Sequence, residues 1–222
     1  MVRVVVADDE GLVRAGVRAI LDSAKDIEVV AEAEDGLLAV EMIRRHRPDV
    51  VLLDVRMPNL SGLDAISGIR AISPDTAVIV LTTFLEDDYI AGALHDGALG
   101  FMLKAADPRE LIDGVRAVAD GAAYLSPRVA RRVIAGLGAG RMNREAAARK
   151  RVAGLTTRER ELLGLLVAGL SNAEVGRRMH LAEGTVKSYV SAILSRLEVR
   201  NRVQAAIIGH EAGLAPQEPS SS

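Results

Sequence analysis

Short apolar runs alternate with amphipathic stretches over the first 125 residues, and beyond about residue 155 only helical periodicity remains. Val2–Ala7, Glu28–Ala33, Val50–Asp54, Ala77–Thr82 and Gly100–Lys104 are mostly Val/Leu-rich and lack period-two alternation. That pattern predicts strands covered on both faces. Between them Gly11–Ser23, Gly36–Arg45, Asp64–Ile72, Asp87–His95 and Asp107–Ala119 read as helices, punctuated by Pro48, Pro58, Pro74 and Pro108. Five βα units in so short a span predict an α/β domain over 1–122, a doubly wound five-stranded parallel sheet with helices on both faces.

The pattern then changes. Ser126–Leu137 is compatible with a helix that Gly136, Gly138 and Gly140 interrupt, and Arg141–Arg151 is polar, Ala-rich and basic. Residues 123–154 are therefore expected to form a partly helical linker. From Thr156 onward the chain reads as a small all-α domain, 155–214, with four helices near Thr157–Ala168, Asn172–Met179, Glu183–Leu197 and Arg202–Ala212. Thr156 with Glu159, and Ser171 with Glu174, have capping-box spacing, and Gly169 is placed to end the first helix. The Pro/Ser-rich stretch 215–222 is expected to be a disordered tail.

Charge sharpens this division. Residues 1–125 hold 12 Lys+Arg against 22 Asp+Glu, a net of −10; residues 126–222 hold 16 against 8, a net of +8. A near-neutral chain of 222 residues thus joins an acidic half to a basic one, as expected of a regulator coupled to a polyanion binder. Aromatics are only 2% while hydrophobics are 49%, so the cores are expected to be built from Val, Leu, Ile and Ala. The absence of Cys excludes disulfides, thiol nucleophiles and cysteine-ligated metals. No apolar run approaches the ~18 residues of a membrane helix, which points to a cytoplasmic protein without membrane contact. His46, His95, His180 and His210 are scattered without metal-ligand spacing.

The candidate chemistry sits at the carboxyl ends of the predicted strands, where doubly wound sheets bind their ligands. Asp8-Asp9 ends the first strand, Asp54 the third, Thr82 the fourth and Lys104 the fifth. Clustered carboxylates repel unless a cation intervenes, and a hard ion such as Mg²⁺ suits one or two carboxylates, waters and a phosphate. Lys104 supplies a point charge for a phosphoryl group and Thr82 a hydroxyl donor. A carboxylate can itself accept a phosphoryl group as an acyl phosphate. Any one of these residues alone reads as a turn or cap; together, in one sheet, they read as a site.

With those residues in place, Val2–Asp120 resembles the receiver domain of two-component response regulators, a flavodoxin-like fold. The resemblance implies that Asp54, within Val51-Leu-Leu-Asp-Val-Arg-Met-Pro58, is the phosphoacceptor for a partner sensor histidine kinase. It implies Mg²⁺ held by Asp8, Asp9, Asp54 and the backbone carbonyl of Arg56, a switch hydroxyl at Thr82, a phosphoryl-stabilising Lys104, and an aromatic switch at Phe101. Phe101 is expected to turn inward when Thr82 is drawn to the phosphoryl group. Ala105 stands where many receivers have a cis-proline after the lysine, as in the NarL/FixJ subfamily. Arg56 and Phe84, two residues beyond Asp54 and Thr82, are expected to obstruct an attacking water and lengthen the phosphorylated state.

In the second half, Ser171–Met179, a turn and Glu183–Leu197 have helix-turn-helix dimensions. Val186, Val190, Ile193 and Leu197 share one arc of the second helix, and Lys187, Ser188, Ser191 and Ser195 the opposite one, with Thr185 at its flank. Small polar residues plus a cation suit the major groove, and Arg200 and Arg202, with Arg177 and Arg178, suit phosphates. The stretches Leu155–Glu161, Gly169–Val175 and Ala182–Val190 resemble the LuxR/NarL-type DNA-binding domain. That resemblance makes Thr185 and Lys187 the foremost DNA contacts, followed by Ser188, Ser191, Arg200 and Arg202, and Arg202–Ala212 the dimer surface.

These readings converge on a transcriptional response regulator. Mg²⁺-dependent phosphorylation of Asp54 would promote homodimerisation, release of the DNA-binding half, or both, on double-stranded promoter DNA with half-sites about 34–36 Å apart. It would not be an enzyme beyond its own phosphotransfer and dephosphorylation. The alternatives are a phosphorylation-independent regulator and a phosphatase that forms an aspartyl phosphate.

Overall fold

A computed structural model describes residues 1–83, 86–137 and 141–214. Phe84, Gly138, Gly140 and the expected tail at 215–222 lie outside these described residues. The chain divides into two compact units, Met1–Val133 and Ile134–Ser222.

The first unit is a parallel α/β sheet. Its strands are β1 (Val2–Ala7), β2 (Ile27–Ala33), β3 (Val50–Asp54), β4 (Ala77–Thr82), β5 (Gly100–Leu103) and β6 (Tyr124–Leu125), in the order β2-β1-β3-β4-β5-β6. The helices are α1 (Gly11–Asp22), α2 (Gly36–His46), α3 (Gly62–Ile72), α4 (Asp87–Asp96), α5 (Pro108–Ala119) and α6 (Pro127–Leu137). β3 and β4 are buried at every position, as continuous Val/Leu runs require. On one face Val4, Val6, Leu52, Ile79, Leu81 and Met102 meet Val17 and Leu21 of α1 and Leu111, Val115 and Val118 of α5. Successive residues alternate across a strand, so Val5, Val51, Leu53, Val80 and Phe101 turn to the opposite face, and all are buried.

Two expectations are corrected here. The sheet has six strands rather than five: Tyr124 and Leu125 pair in parallel with Gly100 and Phe101, inside the stretch read as linker. Gly136 does not interrupt α6, which continues to Leu137.

The second unit holds α7 (Arg141–Ala153), α8 (Thr157–Val167), α9 (Asn172–Met179), α10 (Glu183–Arg196) and α11 (Arg202–Glu211). Its core joins Leu162, Leu163 and Leu166 of α8 to Val175, Met179, Val186, Ile193, Leu197, Ala205 and Ile208. Ala148 and Val152 of α7 are buried in the same core, so this part of the expected linker packs into the helical unit as a fifth helix. Both capping boxes are formed: Thr156 and Ser171 accept from the N–H of Glu159 and Glu174, whose carboxylates accept in return from the cap N–H groups at 2.8 and 2.7 Å. Those bonds hold both glutamates below the usual carboxylate range.

Candidate functional site

The order β2-β1-β3 reverses strand direction of travel at β1 and β3, the switch point where such sheets carry their ligands. β1 is followed at once by Asp8 and β3 ends at Asp54; β5, two strands on, is followed at once by Lys104. Asp8 and Asp54 are 1% and 5% exposed, a burial these residues tolerate only with partners. The partner is Lys104, whose Nζ lies 2.8 Å from Asp8 Oδ2 and 3.0 Å from Asp54 Oδ2. One ammonium therefore bridges two strand-end carboxylates, with Thr82 buried beside them. The Lys104 N–H donates to the Thr82 carbonyl at 2.8 Å, tying the β4 and β5 ends together.

Burial pushes the Asp54 carboxyl up from its ordinary value, and the Lys104 hydrogen bond only partly offsets this. For Lys104 burial acts downward, but the bonds to Asp8 and Asp54 outweigh it and hold the ammonium firmly protonated. The loop after β3 folds back tightly over Asp54. A Cβ on Gly62 would stand 1.8 Å from the Asp54 carbonyl oxygen, so glycine is required there.

Two contributors were not singled out from sequence. Glu10 Oε1 lies 3.3 Å from Lys104 Nζ, and Glu10 also donates its N–H to Asp8 Oδ1 at 2.9 Å. Arg14 Nη1 donates to the Asp8 backbone carbonyl at 2.5 Å while pairing with Glu32 at 3.3 Å, which anchors the acidic turn to β2. Glu10 adjoins Asp8-Asp9 and was legible as a third carboxylate; Arg14 reads as an ordinary helix cation.

Several features fit a hard cation. Asp8, Asp9 and Glu10 each offer a carboxylate oxygen within 4.8 Å of the others, and Asp9 and Glu10 are exposed. Asp8 Oδ2 is buried and, although ion-paired to Lys104, receives no hydrogen bond in line. Asp54 stands across Lys104 from this group. A cleft of about 180 Å³, lined by Asp9, Glu10, Asp54, Arg56, Thr82, Thr83 and Lys104, opens over the carboxylates. At its mouth the Arg56 guanidinium pairs with Glu86 at 2.9 Å and lies 5.5 Å from the Tyr89 ring centre. Phe101 is wholly buried on β5.

In the second unit α9, the turn at His180 (φ 55°) and α10 form the helix-turn-helix. The turn passes so close to α9 that a Cβ on Gly176 would meet the Leu181 carbonyl oxygen at 2.8 Å. α10 buries Val186 and Ile193 and exposes Thr185, Lys187, Ser188 and Ser191. Ser188 and Ser191 donate to the carbonyls of Gly184 and Lys187 at 3.1 and 3.0 Å, and Lys187 pairs with Glu183 at 3.2 Å. Arg200 is exposed. Arg202 is not available for phosphate, which corrects its assignment. It is 5% exposed, and its guanidinium donates to the Leu170 carbonyl and Asn172 Oδ1, holding α11 to the start of α9.

Among the described residues no helix is long and apolar enough to cross a membrane. The family model described as "Response regulator receiver domain" matches residues 4–116, and "Bacterial regulatory proteins, luxR family" matches 153–208. The transcriptional regulatory protein DegU of Brevibacillus brevis is 36% identical over 93% of this chain and 92% of its own length. The DNA-binding transcriptional activator DevR/DosR of Mycobacterium tuberculosis is 37% identical over 95% of each. A crystal structure of a LuxR-family two-component response regulator from Aurantimonas sp. SI85-9A1 is 29% identical, covering 61% of this chain and 97% of that one with a TM-score of 0.59. A bridged aspartate site on a receiver sheet, followed by a LuxR-type helix-turn-helix, places this chain in the NarL/LuxR-type family of DNA-binding response regulators of two-component systems.

Proposed function

We propose that this regulator is switched by phosphorylation of Asp54 by a sensor histidine kinase, in a Mg²⁺-dependent reaction in the cytoplasm. The observation that carries the reading is Lys104, bridging Asp8 and Asp54 at 2.8 and 3.0 Å beneath an open cleft. Its ammonium is held protonated by both carboxylates, and so is available as a fixed counter-charge.

In the transfer, an Asp54 carboxylate oxygen attacks the phosphorus of a phosphohistidine. The O–P bond forms as the P–N bond breaks, and the departing imidazole nitrogen takes a proton from solvent. Lys104 then exchanges its Asp54 contact for a phosphoryl oxygen, and the buried Thr82 hydroxyl supplies a second donor. Asp8, Asp9, Asp54 and the Arg56 carbonyl are the residues to hold Mg²⁺, with Glu10 beside them. That ion would neutralise the negative charge gathering at the carboxylates and phosphoryl oxygens.

Exchange of the Lys104 contact, together with movement of the Thr82 loop, favours an alternative surface on β4, β5 and their loops. The DNA-binding unit is then released, or pairs with a second copy, on promoter DNA through Thr185, Lys187, Ser188 and Ser191 of α10, with Arg200 at a phosphate. Incubation with Mg²⁺ and acetyl phosphate, followed by intact mass, is expected to show one phosphoryl adduct per chain that Asp54→Asn abolishes. Sustained turnover of external phosphoesters would favour a phosphatase instead. DNA binding that phosphodonor and Asp54→Asn both leave unchanged would favour a phosphorylation-independent regulator.

A further inference from the structure

The receiver unit carries a second polar cleft, behind the loop that follows Lys104. About 250 Å³ in volume, it is lined by Leu103, Ala105, Ala106, Asp107 and Glu110 on one side and by Ser126, Pro127 and Arg128 on the other. Ser126 is the N-cap residue of α6: its carbonyl accepts the first helical bond, from Ala130 at 2.9 Å. Its side chain, however, is 3% exposed and has no hydrogen-bond partner. A buried hydroxyl left without a partner is unfavourable, so a group that supplies one is favoured there.

The surroundings define what that group is. Pro127 has no N–H, and the first turn of α6 holds no acidic side chain of its own, so the helix brings its positive end to the cleft, with Asp107 and Glu110 among the other lining residues. Backbone N–H groups at such an end, with Arg128 exposed at the rim, favour an anion. On the opposite wall the Asp107 carboxylate is already engaged, accepting from the Arg109 N–H at 2.8 Å as the α5 cap. Glu110 remains as an acceptor for a proton or hydroxyl on the bound species. The volume is below the ~300–1,000 Å³ of sites for larger ligands, which rules against a nucleotide.

We propose that this cleft binds a small oxyanion, a phosphate or a carboxylate, through the Ser126 hydroxyl, the N–H groups of the first turn of α6 and the Arg128 guanidinium. The site is separate from the Asp54 cleft and does not rest on phosphorylation there. Its wall at Ala105 and Ala106 is continuous with Lys104, so occupancy is also felt at the Lys104 amide.

The test is a residue-resolved ¹⁵N amide titration of the full chain in EDTA, with inorganic phosphate and separately acetate replacing chloride at constant ionic strength. Saturating shifts at Arg128, Val129 and Lys104 are expected, weakened at least five-fold by Ser126→Ala and by the exposed Arg128→Gln. Saturation by phosphate alone or by acetate alone identifies which oxyanion the site prefers and supports it. Non-saturating shifts spread over the basic surface would mean an adventitious ion only and overturn the proposal. So would saturation that both variants leave unchanged; if Ser126→Ala perturbs folding, Arg128→Gln decides alone.

Discussion

Replacing Lys104 with Met removes the one ammonium that the structure places between Asp8 and Asp54, at 2.8 and 3.0 Å, while keeping most of the side-chain volume. Asp8 and Asp54 are 1% and 5% exposed, so the variant leaves two carboxylates facing each other with little water around them. Breaking a buried ion pair by deleting one partner costs about 3–5 kcal/mol, against about 5–15 kcal/mol of total stability for a domain. For a unit of about 130 residues this corresponds to a fall of roughly 11–18 °C in Tm. Protonation limits the loss. In the variant one buried carboxyl is raised above its unfolded value near 3.8, so the folded state binds the extra proton. The deficit is therefore absent below that value and grows as pH rises through the raised one, by at most about 1.4 kcal/mol per pH unit. Calorimetry of both proteins in EDTA at pH 5, 6 and 7 measures it on the receiver transition. Millimolar Mg²⁺ is expected to restore more stability to the variant than to the parent. A fall below about 3 °C at pH 7, or a deficit that does not shrink towards pH 5, would refute the reasoning.

Other outcomes follow from the same geometry. Because burial raises the Asp54 carboxyl, its ionised form opposes folding above the ordinary value of 3.8; Asp54→Asn is expected to raise the receiver Tm at pH 7, an advantage that vanishes below pH 3.8. Gly62→Ala drives a methyl to 1.8 Å from the Asp54 carbonyl oxygen and is expected to abolish acetyl-phosphate labelling while leaving the DNA-binding unit's melting transition in place. Arg200→Gln should reduce the slope of log affinity against log salt by about one. Arg202→Met, by contrast, should destabilise the helical unit by about 1–3 kcal/mol, because it removes the donor to the Leu170 carbonyl and the buried Asn172. Glu183→Gln frees Lys187 and is expected to tighten DNA binding about two-fold, the scale of an exposed i,i+4 pair.

The main strands were legible because burial on both faces writes itself as unbroken apolar runs: Val2–Ala7, Val50–Asp54 and Ala77–Thr82 stand at the expected boundaries. β6 was not, since two residues cannot display a period and its pairing with Gly100 and Phe101 is long-range. α7 was read as linker because its sequence is polar, basic and Ala-rich; Ala148 and Val152, which enter the core, carry no helical stripe by themselves. The juxtaposition of Asp8, Asp54 and Lys104 followed from strand order, each residue lying where its strand ends. Distances did not follow, and with them the part of Glu10 in holding Lys104 stayed hidden. Arg202 shows the reverse failure: a cation at a helix start reads as a phosphate contact until tertiary packing reveals a buried tether.

The most direct test of phosphorylation as the switch combines two readouts on one sample. The chain is treated with Mg²⁺ and acetyl phosphate, its phosphorylated residue is mapped by peptide mass after borohydride trapping, and its affinity is measured for promoter fragments selected from genomic DNA. The account predicts a single adduct at Asp54 and DNA binding that tightens with the adduct, both lost in Asp54→Asn. An adduct elsewhere, or DNA affinity indifferent to a confirmed adduct at Asp54, would contradict it.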